Sequence, residues 1–141
     1  MNREAIYAAL FAKVSAVAGF NTTSRRLRFH SDVAGADQPA LFMSQYREDA
    51  QTVPGLNIVW TLRVNLFLYA MTRPDVATPP AQILNPLVDA VIATLAPEPV
   101  SNKQTLGGLV QHTWVEGEIQ TDEGVLGDQG IAVIPIVMKA V

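Results

Sequence analysis

The sequence contains no cysteine. That excludes disulfide scaffolds, thiol catalysis and cysteine-ligated zinc. Charge is also scarce: Asp, Glu, Lys and Arg make up 16% of the chain, against roughly 25% in an ordinary globular domain. Ten cations stand against thirteen anions, for a net charge of -3. There is no cationic excess to neutralise phosphates, which argues against a strongly basic nucleic-acid binder. Long apolar runs are missing as well. The longest purely apolar stretches cover residues 66–71 and 131–138, far short of the roughly 20 residues a membrane helix needs. The N-terminus places Glu4 beside Arg3 and continues as an amphipathic helix, so no export signal is expected and synthesis in the cytoplasm is.

Catalytic signatures are equally thin. No G-x-S-x-G elbow occurs, and Gly107-Gly108 reads as a turn rather than a phosphate loop. The two histidines, His30 and His112, are far apart in sequence. His30 with Asp32 offers two ligands where zinc needs three or four. Glu116 and Glu118 share one strand face and could do acid–base work if one were buried. A solvated acidic surface is the simpler reading. No cofactor, metal or enzymatic activity is expected.

What is present is apolar: 49% of 141 residues. This excludes intrinsic disorder and suits one domain spanning residues 1–141, which buries about two-thirds of its unfolded surface. With so few charges to cover it, the surface is expected to carry contiguous apolar patches, the mark of a protomer in an assembly.

The elements follow from periodicity. Residues 3–18 read as a helix with Asn2 as N-cap, Gly19 as C-cap, and Ile6, Leu10, Val14 and Val17 on one face. Residues 25–29 and 40–46 read as strands, and residues 47–57, containing Pro54-Gly55, as an extended loop. Residues 57–72 give the clearest strand. Ile58, Trp60, Leu62, Val64, Leu66, Leu68 and Ala70 form a wholly apolar face. The opposite face ends in Phe67, Tyr69 and Met71 and needs cover from elsewhere, such as another subunit. After a Pro-rich connector at 73–80, residues 81–96 read as a second helix with Pro86 as its difficulty. Residues 109–120 and 130–141 read as an antiparallel hairpin with a long tip at 121–129. The last strand is apolar on both faces, with Ile131, Val133 and Val137 on one, yet contains Pro135. Pro135 lacks the donor a central strand uses. An edge strand buried against a neighbouring protomer reconciles the two. The fold class is α+β: a mainly antiparallel sheet of about five strands with two helices packed on one face.

Charge is segregated. Arg25, Arg26 and Arg28 cluster, while the stretch between Lys103 and Lys139 has no Lys or Arg and five acids: Glu116, Glu118, Asp122, Glu123 and Asp128. In a ring, each subunit offers different surfaces to its two neighbours. Opposite charge on those surfaces would set the register.

Several strings then carry a resemblance: Ser24-Arg25-Arg26-Leu27, Gln38-Pro39-Ala40-Leu41-Phe42, the strand at 60–69, the helix at 83–95, Leu106-Gly107-Gly108-Leu109-Val110 running into Trp114-Val115-Glu116-Gly117, and Gly130-Ile131-Ala132-Val133-Ile134-Pro135-Ile136. Over nearly its whole length the chain resembles the tail terminator proteins of long-tailed phages, the class of the minor tail protein that caps the lambda tail tube. The resemblance implies an α+β protein of the virion tail. Such a protein assembles as a hexameric ring on the finished tube, its subunits able to stay monomeric until the tube recruits them. It stops polymerisation of the major tail tube protein and offers a surface to the head-completion (connector) protein. DNA only passes through its lumen, and no membrane is involved. On that reading Arg25, Arg26, Arg28, Phe67, Tyr69, Ile131, Val133 and Val137 are candidates for subunit or tube contacts. Arg47, Glu48, Asp49, Glu116, Glu118, Asp122, Glu123 and Asp128 are candidates for axial loop contacts or the lumen. Two alternatives stay open: another neck, tail completion or tube component, and a small ligand-binding or enzymatic α+β domain.

Overall fold

The computed structural model describes residues 1–73, 77–125 and 127–141. Within them run helix α1 (Arg3–Ser15), strands β1 (Thr22–Ser24), β2 (Ala40–Gln51) and β3 (Val59–Met71), helix α2 (Pro80–Thr94), and strands β4 (His112–Val115), β5 (Gln120–Glu123) and β6 (Gln129–Ala140). The strands form one mixed sheet in the order β1-β2-β3-β6-β4, with β5 also on β6. Only β1 and β2 pair in parallel.

Both helices pack on one face of this sheet. Asn2 caps α1 by accepting from the Ala5 N–H at 3.0 Å, and Ile6, Tyr7, Leu10 and Val14 are buried. The helix ends at Ser15, earlier than its apolar spacing predicts. Pro86 stays inside α2; its ring is on the exposed side, while Leu84, Leu87 and Val91 face the core. The helices meet Leu62, Val64, Leu66, Leu68 and Ala70 of β3 and Ala132, Ile134, Ile136 and Met138 of β6 in one apolar cluster. The period-two reading of β3 is thus observed residue by residue, apart from Ile58, which lies before the strand and is exposed. The connector expected at 73–80 includes residues 74–76, which lie outside the described residues, as does Leu126 of the expected tip.

Four expectations need correction. First, β6 is not an edge strand: it lies between β3 and the β4–β5 pair. The Pro135 carbonyl accepts from the Glu116 N–H at 3.2 Å. In a strand the N and C=O of one residue face the same neighbour, so the missing donor also faces that side. There the neighbouring strand breaks between Val115 and Gln120, with Gly117 at φ 112° against the Pro135 ring. The partner strand yields, and the proline stays central.

Second, residues 25–29 form no strand; β1 precedes them. Parallel neighbours need a crossover, and residues 25–39 supply it by passing over the sheet face opposite the helices. Third, the Phe67–Tyr69 end of β3 is covered by this same segment of its own chain. Tyr69 OH donates to the Arg28 carbonyl at 2.9 Å, Gln129 Nε2 donates to that of His30 at 3.0 Å, and Val33, Ala40, Phe42 and Tyr69 form a second buried cluster. Val137 lies on this face too and is 2% exposed. It pairs in register with Trp114 and Arg63, so burial within the chain takes it out of the candidate subunit contacts.

Fourth, the loop expected at 47–57 begins only after Gln51. Residues up to Gln51 continue β2, paired with β3 as far as Val59. A bulge at Tyr46 shifts the register between Gln45 and Arg47. It turns Arg47 and Asp49 to the outer face and Glu48 to the helix face. Arg47, Glu48 and Asp49 are therefore strand residues, not loop contacts.

Candidate functional site

The face opposite the helices holds most of the candidate residues, in two halves. The first is polar. Asp49 on β2 bridges Arg47, at 2.9 Å, and Arg63 of β3, at 3.6 Å. Arg63 reaches Glu116 at 3.8 Å, and Glu116 accepts from the Trp114 indole N–H at 2.7 Å. The His112 ring stacks on Trp114 with centroids 5.1 Å apart, and Lys139 Nζ donates to Thr61 Oγ1 at 2.5 Å. The Arg47 hydrogen bond, then its charge and that of Arg63, hold the Asp49 carboxyl below its usual value. Two arginines directly opposite in register, Arg47 and Arg63, would repel; Asp49 between them removes that cost.

The second half is apolar. Leu27, Arg28, Phe29, His30, Phe67, Tyr69, Ile131 and Val133 line a cavity of about 430 Å³. Its floor is the sheet and its wall is the crossover segment. Burial raises the Tyr69 phenol above its usual value. The wall is not sealed: Leu27 is 42% exposed and Phe29 64%. The Arg28 guanidinium sits 5.3 Å from the Phe42 ring centroid.

The arginine cluster is divided by the fold. Arg25 is paired with Glu4 at the start of α1, a bond that lowers the Glu4 carboxyl. Arg26 is exposed, and Arg28 lines the groove. The acidic cluster is likewise divided. Glu116 and Glu118 lie within the break opposite Pro135, Asp122 and Glu123 lie on β5, and Asp128 stands at the turn into β6. There Thr72 N–H donates to the Asp128 carbonyl at 2.8 Å.

Glu48 faces α1. It accepts from Arg3 Nε at 2.8 Å and from the buried Tyr7 OH at 2.7 Å. Arg3 also lies 4.4 Å from the Trp60 ring centroid. Desolvation pushes the Glu48 carboxyl up, but the two hydrogen bonds and the Arg3 charge outweigh it and hold it low. Burial, and then the Glu48 carboxylate, push the Tyr7 phenol up. Arg3, Tyr7, Arg63 and Trp114 were not among the sequence candidates; for Arg3, Tyr7 and Arg63 the reason is that the bulge bringing Glu48 and Asp49 to them has no local signature.

The residues proposed for chemistry do not converge. His30 lines the apolar groove, whereas Glu116 and Glu118 line a separate cavity with Tyr46, Arg63 and Pro135. His112 Nδ1 accepts from the Gln104 N–H at 3.0 Å. Among the described residues no three His, Asp or Glu side chains gather as a metal site, and no helix is long and apolar enough to cross a membrane.

No protein-family model matches the chain, and no curated protein matches it. Among solved structures, a chain from the virion of the native gene transfer agent particle matches with a TM-score of 0.58 and 12% sequence identity. The alignment covers 97% of this chain and 95% of that one. At that identity the likeness is one of fold, and it runs from end to end of both chains.

Proposed function

We propose that the chain is a non-enzymatic structural protein of a phage-like virion. Within it the chain acts as a terminator: a ring, hexameric in this reading, on the end of the tail tube. It stops tube polymerisation, docks the head-completion protein and leaves a lumen for DNA. The observation that carries the virion reading is the end-to-end fold likeness to a chain of a gene transfer agent virion. The terminator step rests on the sequence resemblance. The physical features agree with both. Charges on the outer face are engaged with one another, and an apolar groove stays open beside them.

The β2–β3 hairpin favours a second reading as a tube or tail completion subunit. Its turn presents Val53, Leu56 and Ile58 to solvent, a tip suited to contacts between stacked rings. Mixing the protein with purified tail tubes and imaging them separates the two. A cap on one end only, with growth arrested, is the expected result. Continued growth, or decoration along the tube, would instead assign a tube or completion component.

A further inference from the structure

We propose that the groove on the outer face receives the loop at residues 97–103 of a second copy of this chain. The proposal deepens the ring reading and rests on it, naming the contact between neighbours. The groove has three strips. Its centre is apolar: Ile131 and Val133 line both the cavity beneath the crossover segment and a second one beside β5. One border carries Arg28, with the exposed Leu27 and Phe29 next to it. The other border carries Glu118 and Asp122. Asp122 pairs in register with Ile131, and its Oδ1 is buried with no hydrogen-bond partner. A buried acceptor left unpaired is costly, so a cation arriving from outside gains more here than at an open surface. The groove therefore calls for an apolar side chain with a cation beside it.

The loop at 97–103 carries that set. Val100 is 100% exposed. Lys103 is exposed, and its ammonium forms no ion pair among the described residues. Glu98 lies at the other end of the loop. The loop's base and acid thus match the acidic and basic borders of the groove, which fixes the register of association. The loop is also preformed. Pro97 and Pro99 restrict its start. Glu98 N–H donates to the Lys103 carbonyl at 3.0 Å, and Asn102 N–H to the Glu98 carbonyl at 2.9 Å. A stiff loop loses little entropy on docking. It cannot reach the groove of its own chain. Gln104 Nε2 ties its base to the Ala96 carbonyl at 3.1 Å, and Leu95 and Leu106 on either side of it are buried in the helix-side cluster. The sheet therefore stands between loop and groove. A groove on one face and a loop on the other make a heterologous contact, the kind that closes into rings.

The absence of cysteine makes the test clean. Phe29→Cys, on the groove wall, and Val100→Cys are both at exposed positions. The two variants are purified separately, mixed on tail tubes and treated with a short bis-maleimide. The expected result is a covalent dimer in the mixture, with little in either variant alone. Adding Lys103→Glu, also exposed, to the Val100→Cys copy should lower the yield about tenfold by setting like charges together. Adding Glu118→Lys, exposed as well, to the Phe29→Cys copy should then recover much of it. Circular dichroism confirms that each variant is folded. Caps that form on tube ends without this cross-link, or a yield indifferent to Lys103→Glu, would overturn the proposal and leave the ring reading standing. Absence of any cap with the unmodified protein would instead count against the ring reading itself.

Discussion

Glu48 illustrates how much one side chain depends on a single extra residue in its strand. Without the bulge at Tyr46 it would face the outer side of the sheet; with it, Glu48 meets Arg3 and Tyr7. The Tyr7 ring is fully buried, so its hydroxyl has few alternatives to this acceptor. Removing one partner of a buried hydrogen bond costs about 1–3 kcal/mol. Glu48→Ala is therefore expected to lower unfolding free energy by about that amount in urea titrations, and Tyr7→Phe by less, since it leaves no orphaned hydroxyl. The pH dependence has a definite sign. Glu4, Glu48 and Asp49 all have lowered carboxyl values in the folded chain. The unfolded chain then takes up protons first, so stability is complete above the ordinary carboxylate range. It falls as pH drops through the reference values of 4.5 and 3.8 and below. Urea titrations between pH 7 and pH 3 should show this loss, and Glu48→Gln should make it shallower. A flat profile would mean that these pairs contribute nothing, as many exposed pairs do.

At the level of elements, α2 lies tightly against β6 at Gly130. A methyl group on Gly130 would lie 2.8 Å from Pro80 Cβ and 3.1 Å from Leu84 Cδ1. The first of these atoms belongs to a rigid ring, so the helix start must move. Gly130→Ala is expected to cost about 1–3 kcal/mol by overpacking and to speed amide exchange in the first turns of α2. Unchanged stability would show that the helix start is loosely held. The same elements mark where local pattern was legible. The alternation along β3 and the apolar stripe of α2 gave the sheet, its covered face and the helix side, because burial imposes those periods directly. Pro135 misled: a central strand does need its donors, but the cost was met in the adjacent strand, at residues 116–119, which local pattern could not reveal. Residues 47–51 look like a loop because they are polar, yet pairing with β3 holds them extended. That information lies in the partner strand. The candidate contacts fared accordingly. Phe67, Tyr69, Ile131 and Val133 do share one face with Arg28, since period two placed them there. Val137 is buried within the chain and Arg25 is taken by Glu4, consequences of tertiary packing alone.

For the whole molecule, the central question is whether the apolar surface is sealed from within or left for a neighbour. The crossover segment seals part of it, burying Tyr69 and Phe42. It leaves Leu27 and Phe29 facing water. The free side of β2 beyond Phe42 has no strand against it among the described residues. It carries a bulge and the charges of Arg47 and Glu48, devices that discourage edge-to-edge pairing. On the proposed ring reading, that leaves the groove rather than this sheet edge as the surface for a neighbour. Stability and assembly can then be separated by mutation. Leu27→Ser with Phe29→Ser changes two exposed side chains, and surface changes of that kind shift folding stability by about 0.5 kcal/mol or less. If the groove is an assembly surface, the double variant melts like the parent protein yet fails to cap tail tubes. If the two residues serve instead to hold the crossover segment down, the variant loses stability, and amide exchange in residues 25–39 speeds up below the global transition. Parallel melting curves with unchanged capping would mean that neighbours meet elsewhere on the molecule.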